Sequence, residues 1–337
     1  MSPLEELIRA EIRATGPMTV ARYMEMCLAH PEHGYYATRD PLGVAGDFTT
    51  APEISQMFGE MIGVWVASVA PADSFRLIEL GPGRGTLMAD VLRVLEQAEM
   101  RPEVWLVETS PALRAEQAIR VPNAHWADRL EQVPDGPAVI LANEFLDALP
   151  VHQYLRAADG WRERLVGLRD GRLTWGLSEP LPGRDAAPEG AWTEKSPQAD
   201  AALEQLAARL GASPGAALIV DYGYTALDRP NGPTLQAAKD HAYADALEGP
   251  GEADLTWLVN FDRAATALGG QVTTQGAFLA AMGIGARAQA LASASPEEAG
   301  AVADALERLT APEQMGTLFK VLGAVSPGLP APPGFGD

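Results

Sequence analysis

The run Glu79-Leu80-Gly81-Pro82-Gly83-Arg84-Gly85 is the stretch whose residue types and spacing point most directly to chemistry. An acid closes a short apolar segment and glycines follow at alternate positions. Glycines let backbone approach a ligand closely, and the helix that follows opens with free amides. The G-x-G-x-G spacing differs from the G-x-G-x-x-G of dinucleotide sites, so a dinucleotide is not the first choice. Glu108 ends the next apolar segment, 23 residues after Gly85, where an acid can accept both hydroxyls of a ribose. Together these residues point to an adenosine-containing ligand, with a plain glycine-rich turn and a strand-end acid as the alternative.

Asn143-Glu144-Phe145-Leu146-Asp147-Ala148-Leu149-Pro150 directly follows the apolar run 137–142. Ligands of open α/β sheets bind beyond the carboxyl ends of strands. This segment offers an amide, two carboxylates and an aromatic ring, and Glu144 and Asp147 could grip a guanidinium through charge-assisted hydrogen bonds. Acids favouring a helix dipole are the plainer explanation. Asp221-Tyr222-Gly223-Tyr224 ends a further strand and either packs there or lines an acceptor pocket. The candidate catalytic residues are thus Asn143, Glu144, Asp147 and Tyr222. The candidate cofactor residues are Asp47, Thr50, Glu79, Gly81, Gly83, Gly85, Glu108, Asp128 and Asn143. No metal site is expected, because His30-Pro31-Glu32-His33 lacks a third ligand at suitable spacing. His152 and His241 read as structural, and Cys27 as a core residue.

The elements that must position these residues alternate between strand and helix. Apolar strands are expected at 75–80, 104–108, 137–142 and 216–221, with a weaker one at 124–126. Helices are expected from Thr86 to about Ala98 and from Ser110-Pro111. That alternation implies an α/β fold with a parallel sheet and helices on both faces. Helices near 260–268, 276–282 and 296–309 and strands near 270–275 and 316–324 complete it. Residues 1–70 read as a helical extension, with Thr50-Ala51-Pro52-Glu53 a capping box for a helix reaching Val69. Asp159-Gly160 and Asp170-Gly171 mark hairpins of an inserted antiparallel meander. The core is therefore divided as 71–151 and 214–326, with 152–213 inserted and a frayed, proline-rich tail from 327. Residues 30–52 and 225–256 are the candidate functional loops.

The 337 residues carry a formal charge of −20, 47% hydrophobic residues and one cysteine. Such acidity disfavours nucleic acid and anionic membranes and suits a cationic partner. One cysteine excludes an internal disulfide framework and multi-cysteine metal sites. Early acids without an apolar segment give no sign of a signal or transit peptide, so a cytoplasmic chain without membrane insertion is expected.

The E-x-G-x-G-x-G pattern is also the S-adenosylmethionine (SAM) signature of class I methyltransferases. More specific blocks are Gly16-Pro17-Met18-Thr19-Val20, His30-Pro31-Glu32-His33-Gly34-Tyr35-Tyr36, Gly46 to Glu60, Asn143 to Val151, Ile219 to Gly223, Thr234-Leu235-Gln236, Ala253-Asp254-Leu255-Thr256 and Met315 to Leu322. Through these the chain resembles the MidA-like family, whose mitochondrial members are complex I assembly factors acting as protein arginine methyltransferases. Leu146 stands where that family has a second phenylalanine, Asn260 where it has an aspartate, and Pro233 precedes Thr234. The resemblance implies a Rossmann-like class I methyltransferase sheet of seven strands and SAM as cofactor, with a loop over its methionine moiety placing Asp47 at the ammonium. It implies a protein substrate methylated on arginine, the quinone-site subunit of respiratory complex I, with oligomeric state open. Small-molecule N- or O-methylation and a non-catalytic SAM-binding assembly chaperone are the alternatives.

Overall fold

The computed structural model describes residues 2–38, 50–71, 74–182, 187–239 and 242–335. Asp47 and His241 lie outside them. The chain divides into two compact units, one of residues 1–48, 147–201 and 227–258, the other of 49–146, 202–226 and 259–337.

The second unit is built on a sheet of β1 (Arg76–Leu80), β2 (Glu103–Val107), β3 (His125–Ala127), β4 (Ala138–Asn143), β5 (Gly215–Tyr224), β6 (Gln271–Thr274) and β7 (Phe319–Val325). Its main path runs β6-β7-β5-β4-β1-β2-β3, and the short strand Val259–Asn260 pairs the end of β5. The pairs from β5 through β3 are parallel, as the alternation of strand and helix requires. β7 runs antiparallel to both β5 and β6, so the sheet is mixed where the sequence pattern implied a parallel one. An apolar run such as Phe319 to Val325 carries no sign of its direction. Only its pairing with β5 sets that direction.

β4 is buried at every position but the last, and β5 at nine of its ten. This two-sided burial reads in the sequence as unbroken apolar runs. The helices α1 (Gln56–Val69), α2 (Thr86–Gln97) and α3 (Pro111–Arg120) belong to this unit. Met57, Phe58, Ile62, Trp65, Met88 and Val91 join Leu77, Val139, Leu141 and Val220 in one apolar cluster. The expected capping box does not form. Thr50 makes no side-chain cap bond, the first helix stops at Ile54, and Ser55 starts α1 by accepting from the Met57 N–H at 3.2 Å. Ser55 is extended at φ −162°, which breaks the run of helix that residue types alone suggested. A further helix, Ile284–Ala294, joins the elements expected near the C-terminus. The tail does not simply fray, since the Phe335 ring lies 5.6 Å from that of Phe278.

The first unit holds helices Pro3–Thr15 and Val20–Ala29, capped by Ser2 and Thr19 through bonds from Glu5 and Arg22 amides. It also holds the meander His152–Ala157, Gly160–Arg169 and Arg172–Leu177, turned at Gly160 and at Asp170-Gly171 with positive φ. Residues 227–258 group with this unit, where Gln236–Lys239, Ala242–Ala244 and Asp254–Thr256 make a small antiparallel sheet. His152 Nδ1 lies 2.6 Å from Glu163 Oε1. Among the described residues no single helix is long and apolar enough to cross a membrane.

Leu141 is 1% exposed at the centre of β4. Leu141→Ala is expected to destabilise the protein by about 2–5 kcal/mol through lost burial and the cavity left behind. The check is a urea titration in which the midpoint falls while the slope stays constant.

Candidate active site

The glycine turn follows β1 directly. Gly81, Gly83 and Gly85 have φ of 61°, 52° and 80°, all in the left-handed region. A side chain there costs roughly 1–2 kcal/mol per residue, which explains glycine at alternate positions. The Gly81 N–H donates to Val107 O at 3.1 Å and the Gly85 N–H to Pro82 O at 2.8 Å, which tie the turn to β2 and to itself. Gly85 is the cap of α2 and brings no side chain to its first amides, so they remain for a ligand. Glu53 accepts from the Thr86 hydroxyl at 2.5 Å, so the acid expected in a capping box braces this helix start instead.

Acids occupy the strand ends. Glu79 is 2% exposed, and its Oε2 has no hydrogen-bond partner among the described residues. Burial pushes its carboxyl up to about 8. Glu108 Oε1 accepts the Thr109 and Ser110 amides, each at 2.7 Å, and its Oε2 lies 3.4 Å from Gln117 Nε2. Asp128, beyond β3, is exposed and pairs through Oδ1 with Arg114 at 2.7 Å. Asn143 donates from Nδ2 to Glu144 Oε1 at 3.3 Å, while its buried Oδ1 has no partner among the described residues.

The segment after β4 is held by bonds from β5. The Glu144 N–H donates to Val220 O at 2.9 Å, and Glu144 itself sits at φ +50°, uncommon for a residue with a side chain. The Leu146 N–H donates to Asp221 Oδ2 at 2.9 Å, while Asp221 Oδ1 accepts from the Tyr222 N–H at 2.8 Å. Asp221 is fully buried, so its carboxylate serves backbone rather than solvent. Residue types single out Tyr222 in this stretch, whereas the anchoring role of its neighbour Asp221 depends on a bond to a distant segment. An acid closing a long apolar strand was the available signal. The Tyr222 ring lies 4.1 Å from that of Phe319. A Cβ on Gly81 would come 3.0 Å from Phe145 Cδ2, so the aromatic ring of this segment covers the glycine turn.

Asp147 falls in the first unit. It is 2% exposed, and with Asp254 it lies close enough to Tyr36 to help raise that phenol, after burial as the first cause. The Tyr36 hydroxyl is 3.3 Å from Asp254 Oδ1.

Residues 59–278 match the family described as "Putative S-adenosyl-L-methionine-dependent methyltransferase". The chain belongs to this family. The methyltransferase is similar to the protein named "Protein arginine methyltransferase NDUFAF7, mitochondrial" of Danio rerio, at 36% identity over 95% of this chain and 86% of that one. The Homo sapiens protein of the same name is 36% identical over 95% of this chain and 82% of its own. A solved COG1565 superfamily member from Burkholderia thailandensis, bound to S-adenosyl-homocysteine, superposes with a TM-score of 0.87 at 29% identity, covering 98% of this chain and 93% of that one.

SAM is the cofactor of this methyltransferase, and the residues present fit it. Glu79 Oε2 and Asn143 Oδ1 are buried polar atoms without a hydrogen-bond partner among the described residues, and the cofactor brings an ammonium and hydroxyls. The left-handed glycines would carry the backbone against it, and Glu108 Oε2 would accept from the ribose. Gly83→Val is expected to abolish SAM binding in calorimetry while circular dichroism stays native. Glu108→Ala should weaken binding roughly ten- to a hundredfold, the loss of a charged hydrogen bond at ~1.5–3 kcal/mol.

Glu79 also predicts a pH dependence of stability in the cofactor-free protein. Burial raises its folded carboxyl to about 8, against 4.5 for a free glutamate side chain, so between these the folded state holds an extra proton. Stability should therefore fall as pH rises through that window and level off above it. Glu79→Gln should remove that fall, by up to a few kcal/mol, in urea titrations across the range.

Proposed function

We propose that this methyltransferase acts on an arginine nitrogen of a protein, a quinone-site subunit of respiratory complex I during its assembly. The observation that carries the reading is Glu144, a half-buried carboxylate held at φ +50° by the bond from its N–H to Val220 O. It stands at the carboxyl end of β4, the strand beside β1 and its glycine turn. Relatives bearing the name protein arginine methyltransferase, 34–38% identical over most of the chain, support the choice of acceptor. The formal charge of −20 suits a cationic substrate.

When bound, SAM supplies a methyl group on a positively charged sulfur. The work left to the chain is alignment. Glu144 orients the guanidinium by charge-assisted hydrogen bonds, and Asn143, bonded to Glu144 Oε1, holds that carboxylate in place. The part of Glu144 and Asn143 would be to hold a guanidinium nitrogen towards the methyl group that the cofactor supplies. A free guanidinium stays protonated well above neutral pH, so its proton would pass to water during or after the transfer and not before. A single cysteine leaves the redox compartment open, and the cytoplasm is the placement we propose, although the relatives named above are mitochondrial.

The test is mass spectrometry of the complex I subunit from cells with and without this gene. A methyl group lost from one arginine supports the proposal, and an unchanged subunit overturns it. At saturating SAM, Glu144→Gln is expected to lower the methylation rate about 10²–10³-fold, the scale for losing one charge contact in a transition state. SAM affinity and melting temperature should stay close to those of the wild type.

A further inference from the structure

Gln117 is the one buried residue of α3, and it is polar. A fully buried amide on a helix face is costly unless each of its groups is bonded. Here they are. Trp126 Nε1 donates to Gln117 Oε1 at 2.8 Å. Gln117 Nε2 lies 2.6 Å from Gly83 O and 3.4 Å from Glu108 Oε2. The indole N–H can only donate, so it must face the amide oxygen. That leaves Nε2 directed at the glycine turn and at the acid after β2. The Gln117 stem also lies beneath the turn, where a Cβ on Gly85 would meet its Cγ at 3.5 Å. One turn earlier on α3, Arg114 donates to the Glu108 carbonyl and to Asp128 Oδ1, which fixes the same strand end from its backbone side.

We infer that Gln117 is a positioning residue for the cofactor's ribose, resting on the SAM site described above and independent of the acceptor. It sets the distance between the glycine turn and Glu108 and orients the Glu108 oxygen that faces the ribose. Oε1 of Glu108 is already taken by two backbone amides, so Oε2 is the atom whose direction remains to be set, and among the described residues Gln117 is the side chain that reaches it. Trp126 acts one step further out by fixing the orientation of the amide.

The test is a double-mutant cycle read by calorimetry with S-adenosyl-homocysteine. Binding by the wild type comes first, because its absence would overturn the cofactor reading itself and not only the role of Gln117. Gln117→Glu keeps an acceptor for Trp126 but turns the donor facing Gly83 O and Glu108 into a second carboxylate oxygen. Gln117→Met fills the same space without charge or hydrogen bonds. The full cycle is run with both, so a failure of one to fold still leaves the other. Each is expected to weaken binding tenfold or more in the wild-type background and less than threefold in Glu108→Ala, because the two residues act on one contact. Trp126→Phe should weaken binding several-fold by freeing the amide to turn. Equal weakening with and without Glu108 would mean that Gln117 merely supports the fold, and would overturn the inference. So would unchanged affinity in the Gln117 variants.

Discussion

Side chains at the ends of four parallel strands can serve one ligand only if those strands hold a common register. Val220 of β5 lies opposite Asn143 of β4, Leu141 of β4 opposite Glu79 of β1, and Leu80 of β1 opposite Val107 of β2. Asp221, Asn143, Glu79 and Glu108 therefore come to one edge of the sheet, although about 140 residues separate the first of them in the chain from the last. A slip of one residue in any pair would turn that strand's side chains to the opposite face. What prevents the slip is apolar packing. Leu77, Leu106, Val139, Leu141 and Val220 are each at most 2% exposed in a single cluster, and a shift would exchange them for their neighbours.

The packed core sustains local arrangements that are unfavourable in isolation. Glu79 is buried with an oxygen lacking a donor, and Glu144 takes a left-handed backbone conformation. Departures of this kind cost on the order of 1–3 kcal/mol each and collect where a ligand is to be met. Full burial of one leucine contributes a comparable ~1.5–3 kcal/mol, and the cluster beneath the site holds many such side chains. The free energy of the core thus keeps the site in a form that its own residues would not adopt alone.

The polar groups divide between two tasks. Gln117, Asp221 and Arg114 spend their hydrogen bonds on backbone or on other side chains, and so hold the glycine turn, the segment after β4 and the end of β2 in place. Glu79 and Asn143 keep buried polar atoms that have no partner among the described residues. A preorganised site of this type favours charged ligands because its dipoles are already aimed and need no reorganisation on binding.

The sequence alone determined the elements whose signal is local. The apolar runs of β1, β2, β4 and β5 and the alternating glycines are patterns within a few residues, and so were legible. Glu108 was legible because a strand–helix–strand unit sets its distance from the turn. The meander's hairpins were marked by Asp-Gly pairs. Tertiary structure decided what depends on distant neighbours. The direction of β7 follows from its pairing with β5, about 100 residues away. Thr50 and Ser55 both suit a helix cap, and Ser55 caps α1 while Glu53 turns to Thr86. Gln117 reads as one more polar residue on a surface helix until Trp126, Gly83 and Glu108 surround it. Asp221 closes a segment that could either pack or line a pocket, and its carboxylate accepts from the Leu146 amide. In each case the residue type was compatible with several partners, and the choice among them was made by packing between segments far apart in the chain.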